Sequence, residues 1–159
     1  DGTGAGVIFG VTGGVAEAVI RECAKDKTNA YVKEMRDVGV RGKESMKEAV
    51  INVDGRDIHI AVVHGLKAAE DLIQKMERGE AYYDIVEVMA CPEGCIGGAG
   101  QPFALNPRRD KRAKALYRTD NDMSMKFSSK HPETIYAFDE IVKGRNHEML
   151  HVHYNKNEK

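Results

Sequence analysis

Cysteine is scarce in this chain, with three among 159 residues, and one of them, Cys23, stands alone. A sparse, odd set argues against a disulfide framework and for a reducing compartment or metal ligation. An excess of one charge sign is missing too. Lys and Arg number 24 against 25 Asp and Glu, a net charge of -1, with a pI near 6.7. Nothing in that balance points to nucleic acid or an acidic membrane surface as a partner. Mean hydropathy is -0.49, and no apolar run approaches the length of a membrane span. Repeats and low-complexity tracts are absent. There is no initiator Met and no charged, then apolar, leader. The chain opens at Asp1-Gly2-Thr3-Gly4, which suggests a processed, cut or separately encoded piece of something larger. The length fits one ordinary domain with a real core.

Cys91 and Cys95 sit in Met89-Ala90-Cys91-Pro92-Glu93-Gly94-Cys95-Ile96-Gly97-Gly98-Ala99-Gly100-Gln101-Pro102. This stretch holds four of the sixteen glycines and two of the four prolines. It follows Tyr83–Val88, which alternates like a strand running into a loop. Two thiols four positions apart in a loop of small residues can reach one metal centre. Glycines let backbone N–H groups approach sulfur, and such bonds tune an iron–sulfur cluster. Spacing alone does not choose iron over zinc, and either metal normally takes four protein ligands. Two reduced buried thiols, or a redox pair, remain open at this level.

Elsewhere the pattern is α/β. Ala5–Val11 is an apolar run of strand length, Thr12-Gly13-Gly14 a turn, and Val15–Lys27 a helix. A nucleotide is the first ligand that this order suggests. No Lys-Ser/Thr follows the glycines and no dinucleotide fingerprint is in register, so a tight strand-to-helix turn is the reading. Cys23 is expected to be a small core residue. Ala30–Val38 reads as a further helical turn. Glu48–Val53 and Asp57–Val63 flank Asp54-Gly55, a hairpin signal. Leu66–Arg78 is an amphipathic helix with Leu66, Ala69, Leu72, Ile73 and Met76 on one face, ended by Gly79. His59 and His64 receive no role.

After Pro107, the run Arg108–Lys114 opens a charged helix through Tyr117. A solvated face is expected there in preference to a docking patch for an acidic electron donor. Pro132 starts another helix, with Ile135, Phe138 and Val142 at helical spacing and Gly144 at its end. The His151-x-His153 pair could hold a metal but lacks a third ligand, so a structural role is expected.

MACPEGCIGGAGQP resembles the last cluster-binding motif of the [FeFe]-hydrogenases, Met-Ala-Cys-Pro-x-Gly-Cys running into glycines and Gln-Pro. GAGVIFGVTGGVAEAVIR resembles the stretch whose glycine turn lines their two-iron subsite. ALYRTDND, HPETIYAF and LHVHY resemble their small-subunit segment, fused in some members and separate in others. The likeness covers nearly the whole chain. It implies an α/β fold, half of the two-lobed iron-hydrogenase catalytic domain, with a small mixed sheet flanked by helices over residues 1–107. A mostly helical, small-subunit-like C-terminal wrap over 108–159 follows. By position, Cys91 is a ligand of the [4Fe–4S] cubane and Cys95 the thiolate bridging it to the two-iron subsite. Met89 is a thioether near that subsite, and Phe9, Gly10, Gly13 and Val15 form part of its apolar wall. Small diatomic ligands want a dry, close-fitting pocket. Glu93 stands where the family most often has glycine, and the solvent side of the loop is expected for it.

The resemblance implies an oxidoreductase of anaerobic hydrogen metabolism, interconverting H2 with protons and electrons at an H-cluster. Electrons would pass through the cubane to ferredoxin-type or NADH-linked carriers. Two family motifs have no counterpart here, one with Ser-Cys-Cys-Pro and one with Pro-Cys and a nearby lysine. An N-terminal half, in the same or a separate chain, is therefore an expected partner, and the isolated chain is expected to be inactive. A cytoplasmic location is implied, with a periplasmic one left open. The alternatives are a hydrogenase-like sensor, a cytosolic iron–sulfur assembly homologue lacking the two-iron subsite, or a non-catalytic redox or structural fragment. The LHVHY tail argues against the assembly homologue.

Overall fold

The computed structural model describes residues 2–24, 39–98, 100–103 and 105–152. The expected turn at Ala30–Val38 lies outside the described residues. The chain forms two compact units, 1–128 and 129–159.

The first unit is built on a three-stranded mixed sheet, ordered β1-β2-β3. Strands β1 (Met46–Val53) and β2 (Arg56–His64) form the expected hairpin. Its Asp54 and Gly55 both have positive φ, 52° and 87°, the left-handed pair that a two-residue hairpin turn requires. Pairing runs from Met46 opposite Val63 to Val53 opposite Arg56. Helix α3 (Leu66–Glu77) then carries the chain back to β3 (Ile85–Met89), which runs parallel to β2 with His64 opposite Met89. The cysteine loop therefore leaves the end of β3.

The alternation along β2 fills two cores. Ile60 and Val62, with Ile51 and Val53 of β1, pack on one face against Ala16, Ile20 and Ala24. Those three belong to or directly follow helix α2 (Gly14–Cys23). Ala61 and Val63 pack on the other face against Ala69 and Leu72 of α3. Burying Leu72 contributes about 2 kcal/mol. The buried face of α3 is narrower than its apolar spacing implies, because Leu66 and Ile73 remain exposed. Gly79 ends α3 as expected, with φ 69° and its N–H on the Met76 carbonyl at 3.0 Å.

Three expectations fail near the N-terminus. The run at Ala5–Val11 is no strand: Gly4–Ile8 is a short helix, α1, followed by a turn. Helix wins because its first N–H groups find acceptors. The Thr3 hydroxyl caps Gly6 N at 3.1 Å, and Gly4 and Ala5 donate to the carbonyls of Met125 and Lys126 at 2.8 and 3.1 Å. Helix α2 stops before Lys27, since Ala24 is already extended. Cys23 is exposed and no core residue, because Ala16, Ile20 and Ala24 take the inward positions.

Helix α4 (Asn106–Asp122) packs against α1 within the first unit. A buried charge network ties it to α2. Arg21 bonds Glu17 at 2.5 Å and Asp120 at 2.9 Å, and Arg41 bonds Glu17 at 2.7 Å. Burial works to lower the Arg21 pKa, but its bonds to Asp120 and its attraction to Glu17 outweigh this and hold it above the ordinary value.

The second unit is mostly helical. Helix α5 (Pro132–Tyr136) starts at the expected proline and runs into a π-helical turn, Ala137–Val142. Lys143 and Gly144, with φ 48° and 77°, end it. Of the three apolar residues at helical spacing, Val142 is buried, while Ile135 and Phe138 are exposed. The last element is α6 (Asn146–Leu150). The His151 ring meets that of His147 edge-on, with centroids 4.6 Å apart; His153 lies outside the described residues.

Candidate metal centre

The cysteine loop folds as a chain of short turns. Gly94 N donates to the Cys91 carbonyl at 3.1 Å, Gly97 N to Gly94 at 3.0 Å, and Gly98 N to Cys95 at 3.2 Å. Cys95–Gly97 form one 3-10 turn. Two glycines are there for space. A side chain on Gly98 would overlap the Cys91 sulfur, and one on Gly97 would overlap the Pro92 carbonyl. At Gly94 the backbone itself demands glycine, with φ 85°, and a Cβ would sit 2.7 Å from the Met89 sulfur. Met89 is thus packed beside the loop. Cys91 is half-buried and Cys95 exposed.

The glycine turn after α1 locks onto this loop. Ile96 N donates to the Gly10 carbonyl and Thr12 N to the Glu93 carbonyl, both at 3.1 Å. Gly10 and Cys95 share a cleft of about 360 Å³ with Val7, Gln101, Arg112 and Leu116. Of the expected wall, then, the structure brings Gly10 beside Cys95. Gly13 is buried, with φ 90° and a backbone pressed against Val40. Val15 is half-buried and Phe9 is 46% exposed.

Glu93 does not face solvent. It is 8% exposed, and its side chain meets Arg109 at 3.2 Å. Its φ of 62° lies in the left-handed region, which accounts for glycine's fitness at this position. The bonds from Thr12 and Arg109 hold the glutamate there.

Sequence reading missed the side chains that position the site. Glu87, two residues before Met89, accepts the N–H groups of Gly13 at 2.6 Å and Ala16 at 2.7 Å. A carboxylate at a helix start satisfies orphan donors and the dipole together. Nearby Lys47 is 8% exposed and reaches the Gly42 carbonyl at 3.2 Å. Burial pushes its ammonium below the usual value, opposed by attraction to Glu87 and Glu44. Strand alternation could have flagged Glu87, since it breaks an otherwise apolar Ile-Val-x-Val-Met run. Arg109 and Arg112 belong to the charged stretch read as a solvated face. Instead Arg109 holds Glu93, and Arg112 donates to the carbonyls of Ile96 and Pro102 at 2.8 Å each.

The residues fit one side of an iron–sulfur centre. Soft thiolate donors suit iron or zinc, and Gly98 leaves the Cys91 sulfur the room that a side chain would fill. Cys95 opens onto a cleft. Among the described residues no group of three or more His, Cys, Asp or Glu is placed to hold a metal, so two thiols are what this loop offers. His64 bonds the Lys43 carbonyl at 3.1 Å and His59 faces the Tyr82 ring.

This chain belongs to the iron-only hydrogenase large subunit, C-terminal domain family, whose model matches residues 1–99. The NADP-reducing hydrogenase subunit HndD of Solidesulfovibrio fructosivorans is 37% identical over 99% of this chain and 28% of its own length. A probable cytosolic Fe-S cluster assembly factor of Anopheles gambiae is 30% identical over 93% of this chain and 32% of its own. Among solved structures, a variant of the [FeFe]-hydrogenase HydA1 from Chlamydomonas reinhardtii aligns over 97% of this chain and 47% of its own, with a TM-score of 0.67 and 32% identity. The mixed sheet flanked by helices is thus the expected part of the hydrogenase fold. The chain spans about a third or less of these curated relatives. Both kinds of relative match most of this chain, so extent of match alone does not separate hydrogenase from assembly factor.

Proposed function

We propose that this chain is the part of an [FeFe]-hydrogenase catalytic domain that carries two of the cluster's cysteines. Residues 1–107 form the C-terminal half of that domain and 108–159 its small-subunit-like segment. The observation that carries the proposal is the Cys91–Pro102 loop, folded on its glycines and bonded through Ile96 and Glu93 to the Gly10–Thr12 turn. Cys91 and Cys95 would hold an iron–sulfur cluster, Cys91 as a ligand of its [4Fe–4S] part and Cys95 as the thiolate shared with its two-iron part.

When bound, that group supplies hydrogen activation and electron exchange for the reversible reaction of two protons and two electrons to H2. The chain's own residues do the holding. Glu87 fixes the glycine turn, Arg109 and Arg112 fix the loop, and Met89 packs under Gly94. The apolar residues Val7 and Leu116 line the cleft beside Cys95 and limit water there. The remaining ligands come from an N-terminal half, in the same or a second chain. Ferredoxin-type or nicotinamide-linked carriers exchange the electrons, in the cytoplasm. Among the described residues no helix is long and apolar enough to cross a membrane.

A second reading, a cytosolic iron–sulfur assembly factor without the two-iron subsite, is favoured by the Anopheles relative. Greater identity to HndD favours the hydrogenase. Anaerobic reconstitution of the assembled protein separates the two. Cluster absorbance and a spin signal on reduction are expected, lost on replacing both Cys91 and Cys95 by Ser and kept in Cys23→Ser. Equal loss from Cys23→Ser overturns the ligand assignment. A cubane without infrared bands from iron-bound CO and cyanide, after loading with a two-iron precursor, decides for the assembly reading.

A further inference from the structure

Arg109 and Arg112 stand three residues apart on α4 and so share a helix face. The groups they hold, Glu93 and Ile96, are also three residues apart and bracket Cys95. Arg109 reaches the Glu93 carboxylate at 3.2 Å, two residues before the cysteine. Arg112 reaches the Ile96 carbonyl, one residue after it, and spans to the Pro102 carbonyl, 2.8 Å in each case. The segment enclosed by that span contains Gly97, Gly98 and Gly100. Glycine has the most backbone freedom to lose, so an untethered loop of this composition has no single shape. Ile96 is fixed at both polar groups, since its N–H donates to Gly10 and its carbonyl accepts from Arg112. A planar guanidinium presents separate N–H groups to two carbonyls in a fixed fork, whereas an ammonium gathers its three donors at one point. Arg112 also lines the cleft onto which Cys95 opens.

We infer that Arg112 is a positioning residue: it sets the backbone geometry in which Cys95 meets iron. The inference rests on the proposed ligand role of Cys95. It gives the charged start of the small-subunit-like segment a task at the cluster loop.

The test uses the assembled protein, this chain with the segment that supplies the remaining cysteines. Arg112→Met, Arg112→Lys and the control Lys111→Met, on the exposed side of the same helix, are compared with wild type. Iron loss to a chelator and the electron paramagnetic resonance of the reduced cluster are measured after anaerobic loading. Hydrogen exchange is measured before iron is added. Arg112→Met should lose iron about 10- to 100-fold faster, as happens when a group orienting a ligand is removed, with an altered resonance. Arg112→Lys should recover part of the rate, and Lys111→Met should match wild type. Exchange across the loop from Gly94 to Pro102 should rise in Arg112→Met and stay unchanged in the β1–β2 hairpin. Wild-type iron loss and wild-type loop exchange in folded Arg112→Met overturn the inference. Should that variant not fold, Arg112→Gln, which keeps a single donating group, decides by the same two readouts. If wild type takes up no iron, the hydrogenase reading fails, and loop exchange alone decides the role of Arg112.

Discussion

The Glu87 carboxylate accepts the Gly13 N–H at 2.6 Å, joining the strand that delivers the cysteines to the turn that lines their cleft. It also takes Ala16 N at 2.7 Å and faces the buried Lys47. Glu87→Gln keeps the shape but loses the charge; its single amide oxygen can accept from only one of the two N–H groups, so the other faces an NH2 donor, and Lys47 loses its main counter-ion. The expected cost is about 2 kcal/mol, read as a lower urea midpoint with an unchanged slope. An unchanged midpoint would show that the carboxylate does not anchor the turn.

Such links explain what could and could not be read in advance. The hairpin was legible because Asp54-Gly55 carries its own turn chemistry, and α3 because Gly79 and the spacing of Ala69 and Leu72 are local signals. The first segment was misread because its helix depends on Thr3 and on carbonyls at Met125 and Lys126, far along the chain. That Cys91 and Cys95 share one glycine-rich loop was legible from their spacing. The partners of Glu87, Arg109 and Arg112 were not, since nothing in a charged residue's neighbours tells which remote backbone it meets. Glu93 was misplaced for the same reason, because its partner is sixteen residues away.

Gly98 is a second point of leverage. A methyl added by Gly98→Ala meets the Cys91 sulfur and its Cβ. The assembled protein should fold and yet retain about tenfold less iron, measured by metal analysis after desalting. Gly6→Ala, where the nearest atom is the Thr3 hydroxyl at 3.4 Å, should retain wild-type iron. Full iron retention in Gly98→Ala would mean that Cys91 is not held by the cradle described.

Alkaline pH should act through Tyr117. Burial, opposed by Arg41, raises its phenol from 10.0 to about 12. The Arg41 guanidinium lies 4.0 Å over the ring. The unfolded chain releases this proton near the ordinary value, while the folded chain keeps it to about 12. Its contribution is therefore complete below pH 10 and is lost as pH rises towards 12. Tyr117→Phe should flatten the fall of the unfolding midpoint over that window. An equally steep fall in the variant would place the effect elsewhere, for example at Tyr83, also raised to about 12 by burial and Glu48.

The central claim is that this chain holds half of a hydrogen-converting site. Two thiols cannot fill four cluster positions, and iron with open sites beside the exposed Cys95 is labile. Hydrogen evolution from reduced viologen measures this directly, with a synthetic two-iron precursor supplied throughout. The chain alone should evolve none. Adding a chain that carries the two missing cysteine motifs should start turnover, along with infrared bands from iron-bound CO and cyanide. Turnover by the chain alone, or none after a complementing chain has restored the cluster, would contradict the account.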